Sequence, residues 1–182
     1  MKFNIDVEDY LIDKNTKSYN LDSYNSSFFY GEVNNNEICS IIIKFILKEI
    51  ESDYNLNFLD VGSGCGKLVI FLHENTNLYC TGIEIIEHRY LKSLNLINEN
   101  YNVEFFNDSF IKTYFGNFDI IYCCNLVFSE EDNNILYCKL NNEFKGYALL
   151  FTYNNKINHC LINEFKVNTS WQKNVNIYLF KF

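Results

Sequence analysis

Apolar positions along this chain change their period several times, and each change predicts an element. From Asn36 onward, EICSIIIKFILKEIES repeats its apolar residues at helical spacing and ends in charge, which predicts a helix. NFLDVG is then a short buried strand, and KLVIFLHEN opens a second helix after three glycines in five residues. LYCTGIEI predicts another strand. HRYLKSLNLINENY predicts an amphipathic helix with Leu91, Leu94 and Ile97 on one face. VEFFND and FDIIYCCNLVF predict two more strands, EEDNNILYCKLNNEF a helix and YALLFTYN a fifth strand. CLINEFKVNTSW and NVNIYLFKF alternate well enough to be two strands closing the sheet. Strands separated by helices and short turns predict an α/β doubly wound sheet. Residues 1–30 are polar, tyrosine-rich and weakly periodic, and read as an arm or small cap.

Composition narrows the function classes. A chain of 182 residues, 48% hydrophobic and 18% aromatic, is sized for one domain with a proper core. Its formal charge of −8 and pI near 4.9 argue against binding nucleic acid by bulk electrostatics. A basic protein partner or a small ligand fits better. Seven cysteines without a CxxC pair read as mostly buried thiols in a reducing compartment. His73, His88 and His159 share no spacing, so no metal site is expected. The first residues carry no apolar secretory core and no run approaches ~20 apolar residues, so the expectation is a soluble intracellular protein without membrane contact.

The candidate chemistry lies in the glycine turn. Gly62, Gly64 and Gly66 follow Asp60 directly at the end of one strand, and Glu84 ends the next strand 24 residues later. A strand–glycine–helix unit lets a nucleotide-like ligand lie on bare backbone, and an acid on the next strand accepts bonds from ribose hydroxyls. Asp60 would repel a pyrophosphate but suits a cationic or zwitterionic ligand. S-adenosylmethionine has no phosphate and carries a sulfonium and an ammonium. The DxGxGxG pattern resembles motif I of the class I S-adenosylmethionine-dependent methyltransferases, whose Rossmann-like sheet has seven strands, helices on both faces and a reversed terminal hairpin. Asp108, at the end of the third strand, occupies the place of an adenine contact in that superfamily; a helix cap is its other reading.

Three further stretches narrow the resemblance: FFYGEVNNNEICSIIIKFI before the glycines, NLVFSEEDNNILYCKLNNEF after the fourth strand, and SWQKNVNIYLF near the end. Together with DVGSGCGKLV they resemble the disruptor-of-telomeric-silencing (Dot) family of histone lysine methyltransferases, over roughly residues 28–182. The resemblance divides the chain into an arm and cofactor-closing loop, 1–35, and a catalytic domain, 36–182. It implies that Tyr30 and Glu32 close over the cofactor, with Glu32 on the methionine ammonium. Asp60, Gly62 and Gly64 would line the methionine portion together with Lys67, Glu84 would hold the ribose and Asp108 the adenine. Asn125 and Phe128 would stand where S-adenosylmethionine meets the target lysine, and Trp171 and Tyr178 would wall the lysine channel. The family's paired asparagines appear here as Cys124–Asn125, and Ile177 competes with Tyr178. The implied substrate is a histone, by resemblance lysine-79 of histone H3, alone or in a nucleosome, with weak or no autonomous DNA binding. That substrate implies a nuclear setting, or a host nucleus or cytoplasm. Glu130–Glu131–Asp132 reads as a patch for a basic partner or as a helix start favoured by the dipole. Rival readings are a methyltransferase of another substrate and a silent cofactor-binding module.

Overall fold

The structure, a computed structural model, describes residues 31–50, 56–99 and 101–182. Its centre is a seven-stranded sheet in the order β3-β2-β1-β4-β5-β7-β6. The strands are β1 (Asn57–Val61), β2 (Tyr79–Ile83), β3 (Val103–Phe106), β4 (Ile120–Cys123), β5 (Tyr147–Leu150), β6 (Cys160–Val167) and β7 (Val175–Lys181). The first five run parallel, while β7 is antiparallel to both β5 and β6. This is the doubly wound sheet and closing hairpin expected from the sequence.

Helices lie on both faces. The predicted first helix is α1 (Asn35–Ile41), which widens into a π-helical stretch (Ile42–Leu47) and ends as the short α2 (Lys48–Ile50). Asn34 caps it, its side chain accepting from the N–H groups of Asn36 and Glu37. α1, α3 (Lys67–Asn75) and the sheet residues Phe58, Cys80, Ile120, Leu149 and Ile177 build one apolar layer. On the other face α5 (Glu130–Glu143) packs Leu136, Tyr137 and Leu140 against Leu59, Ile121, Cys123 and Leu150. The central strands are buried on both sides, which is why they read as unbroken apolar runs rather than alternating ones.

One helix departs from expectation. α4 (Glu87–Leu94) stops before Ile97, and Leu91 and Leu94 lie on its exposed side. Ser93 is the fully buried position, donating its hydroxyl to the Tyr90 carbonyl. A small residue is needed there, because Ser93 and Phe105 crowd the α3 N-terminus so closely that a Cβ on Gly66 would stand 2.7 Å from the Ser93 Cβ. Packing against a glycine turn therefore sets the inward face, not the count of leucines.

Candidate active site

The glycine turn sits where β1 hands over to α3. Gly62 and Gly66 hold φ of 80° and 78°, left-handed values that glycine alone adopts freely. The N–H groups of Gly62 and Ser63 both donate to the Ile83 carbonyl at 2.9 Å, folding the turn back over β2. Glu84 locks it from the other side: one carboxylate oxygen accepts from Gly64 N–H and the other from Ile86 N–H, each at 2.8 Å. Glu84 is 5% exposed, and burial lifts its titration above the usual range against the pull of those backbone bonds and Arg89. Gly64 thus serves the turn by its N–H to Glu84, and its residue is absent from the cavity wall.

A cavity of about 500 Å³ opens beside this turn. Five carboxylates line it, and three of them come from adjacent strands: Asp108 just after β3, Glu84 just after β2 and Asp60 near the end of β1. Asp60 is 3% exposed, and burial followed by the Glu84 charge pushes its carboxyl up to about 8. Asp108 is held below its ordinary value by the Ser109 N–H at 2.7 Å and by Lys112 at 3.1 Å. Asn107 braces this corner by donating to the Glu84 and Ile85 carbonyls.

The far wall comes from both ends of the described chain. Glu32 N–H donates to Ser170 Oγ, Ser170 N–H donates to the Glu32 carbonyl, and Val33 bridges Thr169. Trp171 lies against Gly31 so tightly that a Cβ there would meet the ring at 2.3 Å. The two stretches singled out by resemblance, around Glu32 and around Trp171, are thus one strap across the cavity. Lys67 pairs with Glu32 at 2.6 Å, and both line the wall.

The family model for histone methylation protein DOT1 matches residues 10–103, half of the chain. The chain belongs to the DOT1 family. No curated protein matches it in sequence. Among solved structures it is similar to magnesium protoporphyrin IX methyltransferase from Synechocystis PCC 6803 with bound SAH, with TM-score 0.64 and 12% identity over 87% of this chain and 92% of that one. The same enzyme with bound SAM gives 0.64 and 13% over 100% of both chains. An RNA methyltransferase from Salinibacter ruber in complex with S-adenosyl-L-homocysteine gives 0.58 and 14% over 80% and 90%. At these identities the likeness speaks to the fold. Family and fold together make this DOT1 member a class I, S-adenosylmethionine-dependent methyltransferase.

The cavity's groups fit that cofactor. Acids stand where an amine, a ribose and an adenine amino group could each find an acceptor, and two wall residues, Ser63 and Tyr122, carry buried hydroxyls that no group among the described residues satisfies. Of the residues expected in the site, Glu32, Asp60, Gly62, Lys67, Glu84, Asp108, Phe128 and Trp171 line the cavity. Tyr30 lies outside the described residues.

Two of the expected residues lie away from the cavity wall. Asn125 is fully buried, and its amide is spent on the fold: Oδ1 accepts from Phe151 and Thr152 N–H, while Nδ2 donates to Asn133 Oδ1, Tyr137 OH and the Thr152 carbonyl. The 3₁₀ turn Asn125–Val127 rotates it inward and leaves Cys124 on the cavity wall. Tyr178 sits with the second apolar layer, edge-on to Tyr153 at 4.7 Å, and Ile177 is fully buried in the first; neither reaches the cavity. The sequence reading missed Tyr122, Ser63 and Arg89 as wall residues. Tyr122 had a signal, standing two positions before Cys124 on a strand that alternates faces.

Proposed function

We propose that the protein transfers a methyl group from S-adenosylmethionine to the ε-amine of a histone lysine, in the family's terms histone H3 lysine-79. The observation that carries this is the file of Asp108, Glu84 and Asp60 along one cavity in a chain whose matched half belongs to the DOT1 family. In this reading Asp108 takes the adenine amino group, Glu84 the ribose hydroxyls, and Asp60 with Glu32 the cationic end. Lys67, already paired with Glu32, would add a counter-charge for the amino-acid carboxylate.

When bound, S-adenosylmethionine supplies a sulfonium methyl carbon open to in-line displacement. The protein's part is to align and dry the amine. Phe128, stacked on Phe110 at 5.6 Å, together with Leu126 and Trp171 forms an apolar mouth. Lysine in water titrates near 10.4, and desolvation there lowers that value, raising the share of neutral amine. With the cofactor in place, the amine nitrogen would take the methyl as the sulfonium C–S bond gives way, and its surplus proton would pass to solvent. Asp132 at the cavity wall, with exposed Glu130 and Glu131 beside it, suits a cationic substrate, and the net charge of −8 favours histone over DNA. A histone substrate places the working protein in a nucleus, its own or a host's.

A second reading, methylation of another substrate, draws support from Asn125 and Tyr178, which the lysine-channel role requires and which lie away from the cavity. Tritiated methyl transfer to free histone H3, octamer, nucleosomes and RNA separates the readings. Label on histone lysine is expected. Label on RNA alone, or none anywhere, overturns the proposal.

A further inference from the structure

Tyr122 has no place in the resemblance, yet it lines the cavity, and among the described residues its buried hydroxyl lacks a partner. β1 and β4 run parallel with Asp60 directly against Tyr122, so both side chains leave the sheet on the same face. The ring is fixed: Tyr122 is 3% exposed and meets Phe151 edge-on at 6.1 Å. The hydroxyl is buried and, among the described residues, bonded to no protein atom. Burial pushes the phenol well above its ordinary value, so it remains an O–H that can donate and accept. In the ligand-free fold this atom is a liability, since phenylalanine would fill the same space without it.

The strand order says which part of a ligand it would meet. Reading β3-β2-β1-β4, the wall presents Asp108, then Glu84, then Asp60, then Tyr122. With adenine at the first and ribose at the second, the groups beyond Asp60 face the opposite end of the molecule. We propose that the Tyr122 hydroxyl is a binding contact for the amino-acid end of the adenosyl cofactor, offering a lone pair to its ammonium or a proton to its carboxylate. This rests on the methyltransferase reading above.

Calorimetry with S-adenosylhomocysteine and with 5′-methylthioadenosine, which lacks the amino acid, tests it on wild type and Tyr122→Phe, alongside a thermal melt. In the variant, S-adenosylhomocysteine affinity falls about tenfold, methylthioadenosine affinity stays as in wild type, and the ligand-free melting temperature holds or rises. Unchanged S-adenosylhomocysteine affinity, or an equal loss for both ligands, overturns the contact. Wild type that binds neither ligand overturns the methyltransferase reading itself, and the contact with it. If the variant does not fold, a wild-type complex with S-adenosylhomocysteine decides. The hydroxyl is expected within ~2.7–3.2 Å of an amino-acid nitrogen or oxygen, and a hydroxyl bonded only to protein or water overturns the proposal.

Discussion

Replacing Asp60 with asparagine should make the empty protein more stable and a poorer binder. Unfolded, this carboxyl ionises near 3.8; folded, burial and the neighbouring Glu84 charge raise it to about 8. Between those values the native state holds a proton that the unfolded chain has released, so stability declines as pH rises from ~4 to ~8. At pH 7 the proton is held roughly three units above the unfolded value, at about 1.4 kcal/mol per unit, or ~4 kcal/mol in all. Asparagine keeps the shape and needs no proton. Effective burial penalties shrink once a protein relaxes around the group, so we expect a gain of ~2 kcal/mol, which raises the melting temperature by ~4–8 °C in a domain of this size. A bound ligand cation draws the proton off Asp60 and gains a charge-assisted contact that asparagine cannot offer, so S-adenosylhomocysteine should bind roughly ten- to a hundredfold more weakly to the variant. Melts from pH 5 to 8 and calorimetry at pH 7.5 read both effects. The wild-type melting temperature should fall more steeply with pH than that of the variant. An Asp60→Asn protein that melts lower than wild type, or that binds the ligand equally well, refutes the reasoning.

Glu84→Ala should lose on both counts, because the Gly64 and Ile86 N–H groups lose their acceptor together with the ribose; we expect ~1–3 kcal/mol per stranded donor by denaturant melts, and a weaker ligand by calorimetry. Asn125→Ala should act as a fold variant, stranding the Phe151 and Thr152 N–H groups; a loss of ~3 kcal/mol or more is expected in urea unfolding, and a stable, inactive variant would restore its catalytic role. Trp171→Ala should depress turnover at small cost in stability, since the ring is 41% exposed. Gly31→Ala should reproduce that phenotype by displacing the ring, and steady-state rates beside melts check both.

Much of this molecule was legible in its residues. The strands announce themselves because a sheet covered on both faces leaves unbroken apolar runs bounded by turns, and the glycine turn because its left-handed backbone narrows the residue choice to one. Asp60, Glu84 and Asp108 were readable for a related reason: each follows or ends a strand, and parallel neighbours bring such ends together. Positions beyond the strands were harder. Asn125 and Cys124 exchange inside and outside through a 3₁₀ turn that composition does not signal. The α4 face was misread because its inward contact is a serine against a glycine rather than a leucine against the core. Tyr178 packs in the second apolar layer away from the cavity, and a single step of strand register separates its two readings. Tyr122 reads as an ordinary core aromatic until the missing partner of its hydroxyl is seen.

The most direct test of the account is to incubate the protein with S-adenosylmethionine and histone H3 octamer and locate any added methyl groups by peptide mass spectrometry. The account predicts methylation on a lysine of H3, suppressed by excess S-adenosylhomocysteine and strongly reduced with Asp60→Asn. Unmodified histone from a protein that binds the cofactor, or a mark that persists undiminished in the Asp60 variant, would contradict it.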